Sequence, residues 1–155
     1  TAEQFIDNAG NEINSYERAR LKLYFSSEDG TALIATNRTV AYSTNIPMER
    51  LVVEQILSGP DIGEVFPTVN SETKLLSVTV KDGVCYVNLD NHFLTQTSNV
   101  TTDVAIYSIV NSLTELKTVN KVQLSIEGET KINYRDTYSL TTIFERNLDL
   151  VTTLN

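Results

Sequence analysis

The sequence predicts an α+β domain, a two-layer sandwich in which a mixed or antiparallel sheet carries two helices packed on one face. Three observations predict it. Leu75–Leu89 reads as two alternating runs joined by a tight turn. Met48 to Leu57 and Ala105 to Leu116 each carry an apolar stripe at helical spacing. Every strand-like run has one apolar and one mixed side, the pattern of a sheet covered on one face.

The hairpin is the most sharply specified piece. Asp82-Gly83 supplies the two left-handed positions that a two-residue type I′ turn requires. That turn places Lys81 opposite Val84, Val80 opposite Cys85, Val78 opposite Val87 and Leu76 opposite Leu89. Leu76, Val78, Val80, Cys85, Val87 and Leu89 then share the core face. A slip of one residue would mix the two faces, so pattern and turn agree on one register.

In chain order, residues 1–20 are polar and acidic and read as an N-terminal arm or a short helix. Asp7–Glu12 looks briefly like a calcium loop, but Ala9 stands where a ligand is needed and Gly10 comes too early. Leu21-Lys-Leu-Tyr-Phe alternates as a half-buried strand, with Lys22 and Tyr24 on the side away from the core. Ala32–Ile34 and Thr39–Tyr42 are extended. Pro47 opens the first helix, and Ser58-Gly59-Pro60 stops it. Thr101 or Thr102 caps the second helix, with Asp103 in its first turn. Val122, Leu124 and Ile126 alternate as another strand. Beyond Gly128 the chain is irregular, with Phe144, Leu148, Leu150 and Val151 available to dock it. A single domain over residues 21–150 follows, with 151–155 as a tail.

Composition narrows the function. The chain has 155 residues, a one-domain length, and a formal net charge of -8. That charge argues against a nucleic-acid surface and against adsorption to anionic lipid. No apolar run is long enough to span a bilayer. One cysteine excludes an intrachain disulfide and a cysteine-based zinc cage.

Catalytic candidates are few. Cys85 falls on the core face, where a thiol acts as a small hydrophobe. His92 lies beside Asp90 in the loop after the hairpin, and no Gly-x-Ser-x-Gly elbow accompanies it. Phosphate loops, dinucleotide fingerprints and zinc-helix motifs are missing. The sequence therefore predicts no enzyme, no cofactor and no metal. What remains is the open sheet face, where Tyr24, Thr79, Tyr86, Asn88 and Gln123 are the expected interaction residues. Rigid, amphipathic tyrosines among small polar side chains suit recognition.

Taken together, four pieces resemble the GerMN domain. They are Leu21-Lys-Leu-Tyr-Phe-Ser, Leu57-Ser-Gly-Pro60, the hairpin Leu75–Leu89, and Ile109-Val-Asn-Ser-Leu113 running on to Val122 and Gly128. The tail Phe144–Leu150 is also similar to that of single-domain relatives. The resemblance implies a ring-building-like α+β unit in an exported or lipoprotein setting, associated with sporulation and germination. It implies no catalytic residues. The expected function is a non-catalytic module of the bacterial cell envelope that binds protein partners or self-associates. The alternative is a binder of cell-wall glycan (peptidoglycan) or a small ligand, with tyrosines stacking on sugar rings. Membrane attachment would come only through an N-terminal lipid anchor that these residues do not include.

Overall fold

The computed structural model describes residues 3–6, 12–96 and 99–154. Its strands are β1 (Glu3–Ile6), β2 (Glu12–Ser26), β3 (Leu33–Ser43), β4 (Leu75–Lys81), β5 (Val84–Leu89), β6 (Lys121–Ile126), β7 (Asn133–Tyr134), β8 (Tyr138–Ser139), β9 (Phe144–Glu145) and β10 (Val151–Thr152). Helix α1 (Met48–Ser58) follows β3, and α2 (Thr102–Leu113) connects β5 to β6. The strands form a first sheet ordered β1-β2-β3-β10, a second ordered β4-β5-β6-β9, and a small β7-β8 pair.

The α+β class is as expected, but the cover differs. Instead of one sheet with helices on one face, α2 packs against β2 of the first sheet and β6 and β9 of the second, with α1 alongside. The reason lies in the composition of α2. Val104, Ala105, Ile106, Ser108, Ile109, Val110, Asn111, Ser112 and Leu113 are all buried. A helix without a wet face needs neighbours all round. Its small polar residues are inside because each is satisfied there. Ser108 Oγ donates to the Ala105 carbonyl at 2.8 Å, and Ser112 Oγ to the Ser108 carbonyl at 2.5 Å. In turn Ser112 Oγ accepts the Tyr24 backbone N–H at 3.0 Å. That bond, with the reciprocal bonds of Ser26 and Phe66 at 2.9 Å, occupies the edge of β2 that faces away from β3.

At the other end of α2, Thr101 caps the first turn by accepting the Val104 N–H, as predicted. The helix also holds the tail. Asn111 Nδ2 donates to the Asn147 carbonyl at 2.9 Å, and Asn111 Oδ1 accepts the Asn147 N–H at 3.0 Å. One buried side chain thus imitates a strand partner for residue 147. Arg146 adds hydrogen bonds to the Thr114 carbonyl and hydroxyl, where the helix dipole is negative. The tail is therefore docked along its length: β9 joins β6, β10 runs parallel to β3, and Tyr134, Leu140 and Phe144 are buried. Leu148, expected among the docking residues, is instead 52% exposed.

Where it is described, the segment expected as an arm or short helix is extended. From Glu12 onward it belongs to β2, which pairs with β3 from Tyr16↔Ser43 to Ser26↔Leu33. Residues 15–20 carry polar side chains on both sides of the ribbon, so alternation leaves no trace there. Asp7–Asn11, the first five of the six residues of the rejected calcium loop, lie outside the described residues.

The hairpin keeps its turn. Asp82 and Gly83 have φ of 52° and 79°, and Val78↔Val87, Val80↔Cys85 and Lys81↔Val84 pair as predicted. Gly83 is required twice over: a Cβ there would come within 2.6 Å of Asn120 Nδ2. At the far end the register shifts. A bulge sets Leu75, not Leu76, opposite Leu89, and Leu76 is 47% exposed. An extra residue in one strand re-aims the side chains beyond it, and alternation alone does not reveal it. The α1 stop also holds: Gly59 has φ of 85°, and Arg38 donates to its carbonyl at 2.8 Å while its Nε lies 3.3 Å from Asp61.

Replacing Ser112 by Ala strands the Tyr24 N–H in the interior, and Asn111→Ala removes both bonds to Asn147. Each variant is expected to lose roughly 1–3 kcal/mol of unfolding free energy in urea titrations, whereas Lys117→Ala, at an exposed position after α2, should stay near wild type.

Candidate interaction surface

The nucleophile candidate is buried. Cys85 is fully enclosed, and its thiol pKa is pushed up to about 12 by burial, with Glu49 adding to the effect. A thiol in that state supplies almost no thiolate at neutral pH. The histidine is tied into a local turn. Asp90 accepts the His92 N–H at 3.2 Å and the Lys74 N–H at 3.1 Å, and its second oxygen sits 2.9 Å from His92 Nδ1. Glu72 lies 3.6 Å from Nε2. The hydrogen bond to Asp90 raises the His92 pKa, with the Asp90 and Glu72 charges assisting against desolvation. This cluster caps the turn after β5 and ties it to Lys74 at the root of β4. Among the described residues, no group of three or more His, Cys, Asp or Glu side chains is placed to hold a metal.

The expected interaction residues divide. Tyr24 leaves the set. It is 2% exposed, and its hydroxyl donates to Glu115 at 2.7 Å, with burial and that bond raising its pKa. It also belongs to the first sheet, whereas Thr79, Tyr86, Asn88 and Gln123 lie in the second. From Leu23 to Ser26 strand β2 is buried on both faces, because α2 and the loop at Phe66 close over the side that alternation assigns to solvent. The other four do share a face. Thr79 pairs with Tyr86, Tyr86 with Gln123, and Asn88 with Ser125.

Two of those four have structural work. Asn88 Oδ1 accepts Ser125 Oγ at 3.0 Å and the Gly128 N–H at 2.8 Å, shaping the turn after β6. Gln123 Nε2 reaches the carbonyls of Leu140 and Thr141 at 3.4 and 3.3 Å, holding the loop before β9. Thr79 and Tyr86 remain open to solvent, with Ser77, Lys81 and Lys121 around them. Tyr86 is 39% exposed. The outer face is thus a small polar field with one aromatic ring near its centre.

Two other surface features carry no signal that alternation could read. The exposed Leu76 and Val80 lie on β4, whose outer edge has no partner in the sheet. A shallow groove of about 880 Å³ runs between Ser27–Asp29, Glu64, Phe66 and Thr152–Leu154, floored by Ile34 and rimmed by carboxylates. Its walls come from three distant segments, so only the folded chain assembles it.

The sequence model of the family described as sporulation and spore germination (Germane) matches residues 22–132. The protein belongs to this family. The tandem GerMN domains of the sporulation protein GerM from Bacillus subtilis superpose with a TM-score of 0.70 at 20% identity, over 87% of this chain and 48% of that one. This chain therefore spans about half the length of that tandem-domain protein. The first GerMN domain of the same protein gives 0.60 at 21% identity, over 72% and 84% of the two chains. A putative lipoprotein from Clostridium perfringens gives 0.59 at 18%, over 83% and 87%. At these identities the superpositions establish the GerMN fold, which bears out the resemblance carried by the hairpin and its flanking pieces. No curated protein matches the sequence. The family is described by a process, sporulation and germination, rather than by a reaction. No described helix is long and apolar enough to cross a membrane.

The raised His92 pKa has a definite sign. Its stabilising contribution is fully present below the ordinary value of 6.5 and is lost as pH rises through the folded value. An NMR titration should place the His92 midpoint above 6.5, and Asp90→Asn should bring it back down. Cys85 should stay unmodified by a thiol reagent in the native protein and react stoichiometrically once denatured.

Proposed function

We propose that this domain is a non-catalytic interaction module of the bacterial cell envelope, engaging protein partners through the outer face of β4, β5 and β6. The observation that carries this reading is the exposed Tyr86, flanked by Thr79 and Gln123 across the strands. A tyrosine held on a rigid sheet contributes contact area at little cost in conformational entropy. Membership in a family described by sporulation and germination, with a putative lipoprotein among its structural neighbours, supports an extracytoplasmic setting. The buried Cys85 and the turn-bound His92 leave no convergent acid, base and nucleophile among the described residues. With Tyr24 inside, a single tyrosine stands on this face. That favours a protein partner over a glycan, which would stack on successive rings.

The test replaces Tyr86 by a photo-crosslinking amino acid and exposes the protein to an envelope extract of its native host. Discrete protein adducts are expected from position 86 and not from position 54 on the wet side of α1. Tyr86→Ala should reduce capture of the same partner by about tenfold or more. Co-sedimentation with purified peptidoglycan that depends on Tyr86 would instead support the glycan reading. Equal adducts from both positions would overturn the surface assignment.

A further inference from the structure

Among the described residues, strand β4 lies at the edge of its sheet and pairs with β5 alone. Asp82 and Gly83 form a two-residue turn, so the flanking pair Lys81 and Val84 exchanges hydrogen bonds, and bonded positions recur at every second residue. The backbone N–H and C=O groups of Val78 and Val80 therefore point away from β5. Side chains on this strand are open as well: Leu76 is 47% and Val80 38% exposed. Protein edges are ordinarily covered, or blunted by charge directed along the edge. Here a bulge and Lys81 interrupt the edge, yet two large apolar side chains and the outward-pointing groups of Val78 and Val80 lie together.

The strand is also self-complementary. Lys74-Leu-Leu-Ser-Val-Thr-Val-Lys-Asp82 can be laid antiparallel on a second copy with Val78 on the twofold axis. Val78 then meets Val78, and Val80 of each copy comes level with Leu76, the bulge residue of the other, where the exposed apolar side chains can cover one another. Thr79 meets Ser77 on the opposite face, a pair that hydrogen-bonds across strands. At each end the turn residue Asp82, just beyond the strand, comes near Lys74 of the other copy, opposite charges on exposed side chains. The outward-pointing backbone groups of Val78 allow this register, and the exposed side chains single it out. An isologous contact of this kind closes on itself and does not propagate into a fibre.

We propose that β4 pairs antiparallel with β4 of a second copy of this chain, centred on Val78, so that two four-stranded sheets run on as one. This rests on the reading of the domain as an interaction module but uses the strand edge, leaving the Tyr86 face free, so the two are tested separately. The bulge that takes Leu76 off the β5 ladder leaves its side chain exposed, and the second strand supplies its cover.

Sedimentation equilibrium on the full chain, from about 1 μM to about 1 mM, reads the pairing directly. The mass is expected to rise towards twice that of one chain. Lys74→Glu sets two carboxylates together at each end and should weaken the dimer about tenfold or more. Asp82→Lys added to Lys74→Glu restores opposite charges and should recover most of that loss. Val80→Lys should abolish pairing, with circular dichroism confirming that each variant folds. A monomer across the whole range overturns the proposal. So does a dimer indifferent to Lys74→Glu and Val80→Lys, or one that the double exchange fails to rescue. Loss of crosslinking at position 86 with the dimer intact counts against the partner face alone.

Discussion

The fold depends on a helix with no wet side. α2 is held between the two sheets, and burying Ser108, Asn111 and Ser112 is tolerable only because each is hydrogen-bonded. An unpartnered polar group in that position would cost more than a well-made bond contributes, so these contacts act as specificity as much as stability. Ser112 fixes where β2 crosses the helix, and Asn111 fixes where the tail returns. A purely apolar α2 would bury as much surface and leave both partners free to slide.

Much of this was legible in the residues. Turn chemistry at Asp82-Gly83, the alternating hairpin, the Gly59 stop and the Thr101 cap are local signals, and the structure keeps all four. What alternation missed is non-local. Tyr24 reads as solvent-facing because its neighbours Lys22 and Ser26 are polar, yet Ser26 is buried by Phe66 and Tyr24 by α2. Likewise, Asn111 and Ser112 lie off the apolar stripe that marks the helix, and their partners Asn147 and Tyr24 lie far away in sequence. The bulge at Leu76 depends on the pairing of β4 with β5 and leaves no mark in period-two patterning.

The candidate surface shows the same division. Thr79, Tyr86, Asn88 and Gln123 do share one face, because strand parity is a local property and the parallel pairing of β5 with β6 preserves it. Which of them remain available was not readable, since Asn88 and Gln123 are engaged by Gly128 and by the loop at Leu140–Thr141. The sheet face and the strand edge are therefore chemically distinct. One offers polar side chains around a ring, the other backbone groups and aliphatic cover.

The docked tail has a consequence for how the molecule assembles. Val151 lies beside Leu33, and Phe144 beside Val122, so one short stretch closes both sheets. Closing so long a loop carries an entropic cost that only the finished contacts offset. A chain with such distant pairings reaches its native state more slowly than one built from neighbours. The first sheet can form its β2–β3 ribbon early but cannot be completed until residues 144–152 have crossed α2. The latest-arriving part of this chain is the part that seals the earliest.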